Sequence, residues 1–361
     1  MQPTLDLGPA VEGPHVWLGP EMATRKDEWL HEMTPPELAD LDAAVDRVRA
    51  RNLDILDIAK AEFELPVLGP KLASLRKDLL HGRGFTVLRG APVDRYDRQS
   101  TAIAFWGVGA HLGDSAVSQN GKGHVLGHVK DLGLDYNHPM ARGYQTSARL
   151  PYHTDYSDLV ALLCLKPAKH GGLSSIVSSA ALFNEMRLRH PDLAAALMQP
   201  AYRTRWGEVG SDRPPWISVP VFNRHEAGAE TPTGVVTTYV RSAIRKAQLK
   251  PEVPRLTELQ IEAMDMFDSL AEDPAFHLDM NFQPGDIQVV NNHWTLHSRT
   301  DYEDFDDPAE KRHLMRLWLA CNDGPPFPPA MTKDFEGLTH NGRPNGIHIP
   351  GVAFNAPLEA S

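Results

Sequence analysis

A series of apolar, strand-like runs from residue 159 onward constrains the fold more than any other feature of this chain. The run LVALLCLKP at 159–167 is typical of a strand buried on both faces, and SSIVSS, DIQVV and HLMRLWLA (313–320) follow it. Helical patterns gather before and around these strands rather than alternating with them, as they would in a βαβ protein. We therefore predict an α+β, mainly β chain in which a strand-rich core carries flanking α-helices.

Capping residues and apolar spacing predict where helices begin. Thr34 can cap a helix with its hydroxyl, because Pro35 suits the first helical position and Glu37 stands three residues further on. Thr257 and Gln260 repeat this capping box. Apolar residues at helical spacing predict further helices over about 70–81, 96–111 and 180–189.

The length of 361 residues and the hydrophobic fraction of 42% suffice for one large domain with a sizeable core. We predict that this single domain covers 34–323. Scattered Pro, Gly and Trp predict an irregular arm at 1–33 that wraps the surface. Prolines and polar residues predict an insertion at about 200–255, and a peripheral, Pro-rich tail is predicted at 324–361.

Charge and composition exclude several classes of function. The net charge is −11 and the sequence shows no basic patch, which argues against nucleic acid and anionic membranes as partners. No apolar run reaches the roughly 18 residues that a membrane-spanning helix needs, and no Gly-rich phosphate loop follows a strand. A small molecule is therefore the expected partner.

The two cysteines, Cys164 and Cys321, lie in apolar, strand-like runs. This placement is typical of buried free thiols and excludes a disulfide framework, so a reducing compartment is favoured. The N-terminus lacks the basic region and apolar core of a signal peptide. Together these features predict a cytoplasmic protein.

The tripeptide HTD at 153–155 is the first candidate for chemistry. In a strand, residues two apart point to the same face, which places His153 and Asp155 on one side, roughly 6–7 Å apart at the backbone. An imidazole and a carboxylate suit Fe(II), and a second histidine would complete a facial triad. HPD at 190 and HLD at 277 share the pattern, but HTD is preferred because a buried strand follows it closely.

The run NNHWTLHSR (291–299) contains two further histidine candidates, His293 and His297. Their spacing of four would suit the helix of a zinc protease, but the run lacks the glutamate of HExxH, and Trp294 favours extended structure. One of the two histidines is expected to supply the third metal ligand. The other is expected to be a packed or hydrogen-bonded structural residue.

Arg312 and Arg316 interrupt the apolar run RHLMRLWL on one face of the predicted strand. If the strand is buried, both guanidinium groups need anions to offset their desolvation. If the strand lies at the edge of a sheet, both reach solvent or acidic side chains. The pattern alone does not favour either alternative.

Taken in chain order, HTD, GGLS, LHSR and RHLMRLWL resemble the TauD/TfdA (taurine dioxygenase-like) family of Fe(II)/2-oxoglutarate-dependent oxygenases. The resemblance extends from about Gly82 to Ala320, and the ordered set is far more specific than any one member. It also includes GRGFTVLRGAPV, SQNGKGHVLGHVKD and FQPGDIQVVNNHW. The resemblance implies a double-stranded β-helix (jelly-roll, cupin-like) core with helices packed outside.

The resemblance assigns roles residue by residue. It implies that His153, Asp155 and His297 are the catalytic iron ligands. Arg312 matches the arginine that binds the distal carboxylate of 2-oxoglutarate, and Ser174 of GGLS matches a Thr or Ser that helps to hold it.

Arg316 matches a second inward arginine, which in taurine dioxygenase meets the anionic group of the substrate. The stretch TDYEDFDDPAEK before Arg312 is longer than in the shortest family members, which affects the register of both arginines. Asn120, Tyr152 and Trp294 are further predicted pocket residues, because they lie close to the motifs in the sequence.

The implied reactants are Fe(II), 2-oxoglutarate and O2, with succinate and CO2 as products. The substrate is expected to be a small, anionic organic metabolite that is hydroxylated, desaturated or oxidatively cleaved. Related halogenases lack the carboxylate at the position of Asp155, so its presence favours hydroxylation or desaturation. The alternatives are a metal-dependent hydrolase with the same triad and a β-helix protein that binds a metal or ligand without turnover. Self-association as a homo-oligomer is left open.

Overall fold

The computed structural model describes the chain at 6–134, 142–210, 213–225, 234–324, 327 and 346–360. Its helices are α1 (Gly19–Thr24), α2 (Lys26–Trp29), α3 (Pro35–Arg51), α4 (Gly69–His81), α5 (Arg98–Leu112), α6 (Ser179–Arg189), α7 (Pro191–Leu197), α8 (Arg241–Ala247) and α9 (Glu258–Glu272). Its strands are β1 (Leu30–Glu32), β2 (Phe85–Arg89), β3 (Ser115–Ala116), β4 (Leu126–Val129), β5 (Leu150–His153), β6 (Leu159–Lys166), β7 (His170–Gly171), β8 (Ser174–Ser178), β9 (Pro200–Thr204), β10 (Trp216–Pro220), β11 (Phe222–His225), β12 (Gly234–Thr237), β13 (His277–Met280), β14 (Ile287–Asn291), β15 (Thr295–Arg299), β16 (Tyr302–Glu303) and β17 (His313–Ala320). The protein is therefore mixed, with helices and many strands, as the sequence predicts.

The larger sheet contains the strands that the apolar runs predict. Its order is β1, β2, β14, β6, β17 and β3, and β4 also pairs with β17. Neighbouring strands are antiparallel except for β1 and β2. Because β17 lies between β6 and the pair β3 and β4, it is an interior strand. The edge-strand alternative for Arg312 and Arg316 is therefore wrong, and both side chains are buried.

A second sheet of four strands has the order β13, β8, β15 and β5. Its strand β15 places His297 opposite Ile176 on one side and opposite His153 on the other. The same strand places Arg299 opposite Ser174. Antiparallel pairing thus brings together residues that lie far apart in the sequence.

Side chains along β6 alternate between its two faces, and each face packs in a different part of the core. One face contacts the helices and the other contacts the second sheet. Leu159, Ala161 and Leu163 face a cluster that contains residues of α3, α4 and α5. Val160 and Cys164 point the other way and pack with residues of β8 and β13. Burial of each large apolar side chain contributes about 1.5–3 kcal/mol, so both faces of β6 stabilise the fold. Helices α6, α7 and α9 form a further cluster with residues of the second sheet.

Helices α3 and α9 begin at the predicted caps. The Thr34 N–H donates to Glu37 Oε2 at 2.8 Å, and the Gln260 N–H donates to Thr257 Oγ1 at 3.1 Å. Both capping boxes are complete. The predictions of α4, α5 and α6 are confirmed to within two residues at either end. These helices were predictable because capping and spacing are local properties.

The N-terminal segment is less irregular than the sequence predicts. Helices α1 and α2 and strand β1 form within it, and Trp17 and Trp29 pack against Phe85 of β2. Elements this short have too few residues to show a helical or strand period in their apolar side chains. Strand β1 forms because it pairs in parallel with β2. The expectation of an irregular arm is therefore wrong for these elements.

The segment 200–255 also carries more regular structure than predicted. It contains the antiparallel pairs β9–β10 and β11–β12 together with α8, while 226–233 lie outside the described residues. Part of the C-terminal tail is docked, because the Val125 N–H donates to Asn355 O and the Asn355 N–H donates to Gly123 O, each at 2.9 Å. The division into arm, domain and tail remains a prediction.

Both cysteines are buried free thiols, as the sequence predicts. Cys164 packs between the sheets, whereas Cys321 packs in the cluster on the side of α3 to α5. Within the described ranges, no helix is both long enough and apolar enough to cross a membrane.

Candidate active site

Two paired strands and the turn after one of them bring three metal-ligand residues together. Strand β5 ends at His153, Asp155 follows two residues later, and His297 lies on β15 opposite His153. The Asp155 carboxylate oxygens lie 3.9 Å from His153 Nε2 and 3.7 Å from His297 Nε2. One ligand atom from each residue lies within 4.8 Å of the others, so the group can hold a metal ion on one face.

Hydrogen bonds orient the first two of these residues. His153 Nδ1 lies 2.9 Å from Pro151 O, which leaves Nε2 as the ligand atom. Asn292 Oδ1 accepts a hydrogen bond from the Asp155 backbone N–H at 2.7 Å, and the Asn292 amide donates to Ser157 O at 3.1 Å. Asn292 thus clamps the turn that carries Asp155. The role of Asn292 leaves no signal in the sequence, because only the pairing of distant segments shows it.

The other histidine of NNHWTLHSR has a structural role. His293 Nε2 lies 2.8 Å from Asp158 Oδ1, and both side chains are buried. Asp158 also accepts a hydrogen bond from the Cys321 N–H at 2.8 Å. Spacing alone left open which histidine joins the triad, whereas the family resemblance implies His297. The structure brings His297 to the triad rather than His293.

The electrostatics of the triad favour the charge states that bind a metal. Burial would raise the pKa of Asp155, but the Arg316 guanidinium and His297 outweigh it and hold this pKa well below its usual range. Burial and the neighbouring His297 lower the pKa of His153 to about 4. At neutral pH the site therefore presents a carboxylate and, at His153, a neutral imidazole, which are the forms that coordinate metals.

Arg316 lies beside the triad and is held by several contacts. Its Nε donates to Gln119 Oε1 at 2.7 Å, and its Nη1 lies 3.5 Å from Asp155 Oδ2. Its guanidinium lies over the rings of Tyr144 and Trp318, 4.7 and 5.1 Å from their centroids. Trp318 Nε1 donates to the same Asp155 oxygen at 2.9 Å. Arg316 and Trp318 together fix the orientation of the Asp155 carboxylate.

A small pocket between the sheets, the inner pocket, adjoins His153 and His297 and is lined by three buried arginines, Arg299, Arg312 and Arg316. Arg312 Nη1 and Arg299 Nε and Nη1 have no hydrogen-bond partner among the described residues. Ser174 lines the same pocket, and its Oγ donates to a glutamine of β14 at 3.0 Å. The inner pocket therefore presents unpaired donors beside a hydroxyl.

Like charges stand close together in the inner pocket. Burial and the nearby Arg312 lower the pKa of Arg299 to about 10, and burial also lowers the pKa of Arg312. Two buried cations with unpaired N–H groups are costly, and a carboxylate fits them in charge and in hydrogen bonding. Arg299 was not predicted as a site residue. Its distance of two residues from His297 was a usable signal, because residues two apart on a strand share a face.

A larger cavity of about 330 Å³, the outer cavity, adjoins the triad at His153 and Asp155. The predicted pocket residue Tyr152 lines it, although the Tyr152 hydroxyl is engaged with Ser175 Oγ at 2.5 Å. The aromatic rings of the outer cavity come from Tyr144, Tyr152, Tyr156, Trp206 and Trp318. The cavity can therefore surround an organic molecule beside the metal ligands.

The other two predicted pocket residues lie in different places. Asn120 lines a neighbouring cavity, and its Oδ1 accepts a hydrogen bond from the Lys122 N–H at 2.9 Å. Trp294 is buried against His15, with ring centroids 4.8 Å apart, and lines neither of these cavities. The structure thus brings Tyr152 and Asn120 to cavity walls and packs Trp294 in the core.

Comparison with known proteins adds independent findings. The family model described as "Taurine catabolism dioxygenase TauD, TfdA family" matches residues 50–318. The FR-33289 synthase of Streptomyces rubellomurinus (strain ATCC 31215) is 30% identical over 338 residues, which cover 92% of this chain and 97% of the relative. A taurine hydroxylase-like protein of Stachybotrys chartarum (strain CBS 109288 / IBT 7711) is 28% identical over 336 residues, covering 89% of this chain and 83% of the relative.

A solved structure adds evidence on the fold. Asparagine oxygenase in complex with Fe(II), 2S,3S-3-hydroxyasparagine and succinate is similar with a TM-score of 0.61. The similarity covers 81% of this chain and 93% of that chain at 16% sequence identity. At this identity the likeness concerns the fold alone.

Proposed function

Because this chain belongs to the taurine catabolism dioxygenase TauD, TfdA family, we propose that His153, Asp155 and His297 hold its catalytic iron. Membership of the family makes the chain a 2-oxoglutarate-dependent non-haem iron dioxygenase that uses Fe(II), 2-oxoglutarate and O2. The ligand assignment rests on one observation: one carboxylate and two imidazoles lie close enough together to bind one metal ion. This set of donors suits Fe(II).

The inner pocket supports a position for 2-oxoglutarate. We assign the distal carboxylate of 2-oxoglutarate to Arg312, with Arg299 and Ser174 beside it. A carboxylate there would satisfy the unpaired guanidinium N–H groups and offset two buried charges. His153 and His297 line the same pocket, so the keto end of the molecule would reach the metal.

Hydroxylation is the reaction that we propose. Iron with 2-oxoglutarate supplies an oxidant for unactivated C–H bonds. In the balanced reaction, 2-oxoglutarate loses CO2 and becomes succinate, one atom of O2 enters succinate, and the other converts a substrate C–H to C–OH. O2 gains four electrons, two from each organic reactant. Asp155 supports hydroxylation or desaturation over halogenation, because its carboxylate would hold the metal where related halogenases leave room for a halide.

The residues of this chain contribute orientation and the exclusion of water. Arg316 and Trp318 hold Asp155, and Asn292 clamps its backbone, so the ligand set is preorganised. We propose that the substrate is a small anionic metabolite that binds in the outer cavity, with its reacting C–H near His153 and Asp155. The aromatic rings that line this cavity support a shielded site.

We also propose that the two sheets are the halves of a double-stranded β-helix. Residues of both sheets form one cluster between them, which includes Val160 and Trp318 from one sheet and Ile176 and Leu278 from the other. Sheets that face each other over a common core are expected of that fold. Two of the three triad residues, His153 and His297, then lie on the smaller sheet. Arg316 of the larger sheet contacts Asp155, and Arg312 lines the pocket beside the two histidines.

Anaerobic titration of the apoprotein with Fe(II) and 2-oxoglutarate tests the proposed function. We expect the weak visible charge-transfer band of the iron–2-oxoglutarate chelate in the wild type. We expect Asp155→Ala to abolish the band and Arg312→Ala to require about tenfold or more 2-oxoglutarate, because a charge-assisted bidentate contact is lost. Asp27→Ala and Arg51→Ala change exposed residues and serve as matched controls. A folded, iron-replete protein without the band would contradict the proposal and favour the hydrolase alternative.

A further inference from the structure

The stretch TDYEDFDDPAEK (300–311), which precedes Arg312, is hydrogen-bonded to the turn of GGLS. Its strand β16 pairs with β7, and this pairing places Tyr302 opposite Gly171. On another segment, Ser147 O accepts a hydrogen bond from the Tyr302 N–H at 3.2 Å. Two neighbouring segments therefore fix the backbone of Tyr302.

The ring of Tyr302 lies beside both arginines of the proposed 2-oxoglutarate site. The guanidinium carbons of Arg299 and Arg312 lie 4.7 and 5.2 Å from the centroid of this ring. A guanidinium within about 6 Å of an aromatic ring is attracted by the negative face of the ring, most strongly away from water. Tyr302 is 8% exposed. One ring therefore stabilises two cations that would otherwise repel each other.

Tyr302 stabilises these cations without taking up their charge. Burial outweighs the two guanidinium groups and raises the pKa of Tyr302, so its ring stays neutral at physiological pH. Its hydroxyl has no hydrogen-bond partner among the described residues, and neither do Arg299 Nε and Nη1 or Arg312 Nη1. A carboxylate in place of the ring would pair with the guanidinium groups and compete with 2-oxoglutarate. The neutral ring leaves their N–H groups for the cosubstrate.

Tyr302 lies behind the two arginines rather than in the inner pocket. Arg299 and Arg312 line that pocket, whereas Tyr302 does not. The Arg299 Nη2 donates to Thr146 O at 2.8 Å, and the Arg312 N–H donates to Asp304 Oδ1 at 2.7 Å. Because Asp304 belongs to the same stretch as Tyr302, this stretch contacts Arg312 at its backbone and at its guanidinium. Tyr302 would therefore act on a bound ligand through the arginines.

We propose that Tyr302 is a positioning residue for 2-oxoglutarate: its ring holds the Arg299 and Arg312 guanidinium groups side by side, where both can meet one carboxylate. The inference rests on the proposed function, because it concerns how that site binds its cosubstrate. Two like charges this close would move apart if nothing held them. The ring keeps them preorganised, so 2-oxoglutarate does not have to bring them together when it binds. The result is a lower Kd for 2-oxoglutarate.

Fluorinated phenylalanines incorporated at position 302 test the role of the ring. Fluorine withdraws electrons from the face of the ring and weakens its attraction for cations, while the size of the ring barely changes. The full chain is saturated anaerobically with Fe(II) and titrated with 2-oxoglutarate, and the charge-transfer band gives Kd. We expect Tyr302→Phe to stay within about twofold of the wild type, and trifluorophenylalanine to raise Kd by about tenfold relative to Tyr302→Phe. Forms with one or two fluorine atoms should lie between them.

Two further measurements separate this role from simple packing. Tyr302→Leu removes the ring and should also raise Kd by about tenfold, and the fluorinated series decides the question if this variant does not fold. Fe(II) affinity, measured by equilibrium dialysis before 2-oxoglutarate is added, should be the same in every form, because Tyr302 lies outside the triad.

The outcomes that contradict the inference are distinct from those that contradict the proposed function. With the band present, an equal Kd across the fluorinated series, or a Kd that changes in step with Fe(II) affinity, overturns the positioning role of Tyr302. A loss in Tyr302→Phe as large as that in Tyr302→Leu assigns the effect to the hydroxyl and overturns it too. Absence of the band in the folded, iron-replete wild type overturns the proposed function instead.

Discussion

At the scale of single residues, the buried guanidinium groups differ in what surrounds them. Arg299 and Arg312 line the inner pocket, where the proposed 2-oxoglutarate would offset their charge. Arg203 is 1% exposed and lines neither the inner pocket nor the outer cavity, and its three nitrogens have no hydrogen-bond partner among the described residues. Its guanidinium lies 5.2 Å from the centroid of the Tyr156 ring. Burial lowers the pKa of Arg203, which shows how unfavourable its charge is there.

We predict that Arg203→Met stabilises the protein. The substitution removes an unpaired buried charge and keeps most of the apolar stem, so the free energy of unfolding should rise by about 1–4 kcal/mol. Urea unfolding measures this free energy, and Arg51→Met at the exposed end of α3 is the control. A fall in stability would mean that Arg203 is offset by an anion that binds in the interior.

Residue types and spacing predicted part of the candidate site and could not predict the rest. His153 and Asp155 were predicted as a pair on one face of a strand. The structure brings them together, although β5 ends at His153 and Asp155 lies in the turn after it. Asn292 and Gln119 were not predicted, because each acts through contact with a segment distant in sequence. Arg299 was partly predictable. The face of the strand on which it lies follows from its spacing to His297, but its lack of hydrogen-bond partners among the described residues does not.

At the scale of elements, the C-terminal segment shows how a stretch with little regular structure is fixed. Asn355 forms a bridge with His124, and its side-chain amide donates to Lys122 O at 2.9 Å. Gly123 lies under this segment with a φ of +77°. The same segment contributes Ile349 to the cavity beside the outer cavity. The sequence predicts a peripheral tail here, because contacts made by backbone atoms leave no pattern in side chains.

We predict that Gly123→Ala releases the C-terminal segment. A Cβ at position 123 would lie 2.2 Å from Ala353 O, too close to be accommodated without movement. Gly133→Ala is a matched control, because its φ is +73° and a Cβ there meets nothing within 4 Å. Both variants share the backbone strain, but only Gly123→Ala should speed carboxypeptidase digestion, by about tenfold or more. Mass spectrometry monitors the digestion. Equal digestion rates for Gly123→Ala and Gly133→Ala would contradict the docking of the C-terminal segment.

At the scale of the whole molecule, the sequence predicted elements better than their partners. The caps of α3 and α9 and the strands β6 and β17 were predictable from local pattern. The short strands β1 and β9 to β12 depend on pairing with neighbours, so local pattern did not indicate them. The order of the larger sheet, which makes β17 an interior strand, also lies beyond any local signal.

Two buried histidines join three distant parts of the molecule. His128 of β4 and His313 of β17 meet with 2.8 Å between Nδ1 and Nε2, and His128 Nε2 lies 2.8 Å from Pro357 O. Burial, and then the neighbouring His128, lowers the pKa of His313 to about 3. Burial also lowers the pKa of His128. A histidine in the unfolded chain titrates near about 6.5, so below that pH the unfolded state binds protons that the folded state does not.

We therefore predict that stability falls as the pH falls from about 6.5 towards 3, and that His313→Gln reduces this loss. One group with these pKa values costs about 1.4 kcal/mol per pH unit within that window, so between pH 7 and pH 5 the wild type should lose about 2 kcal/mol more than the variant. Glutamine can keep a polar atom near the position of Nε2 without titrating. Urea unfolding at both pH values measures the difference, and His81→Gln, at an exposed site, should keep the slope of the wild type. Identical slopes for His313→Gln and the wild type would mean that the folded protein protonates this pair as readily as the unfolded chain does.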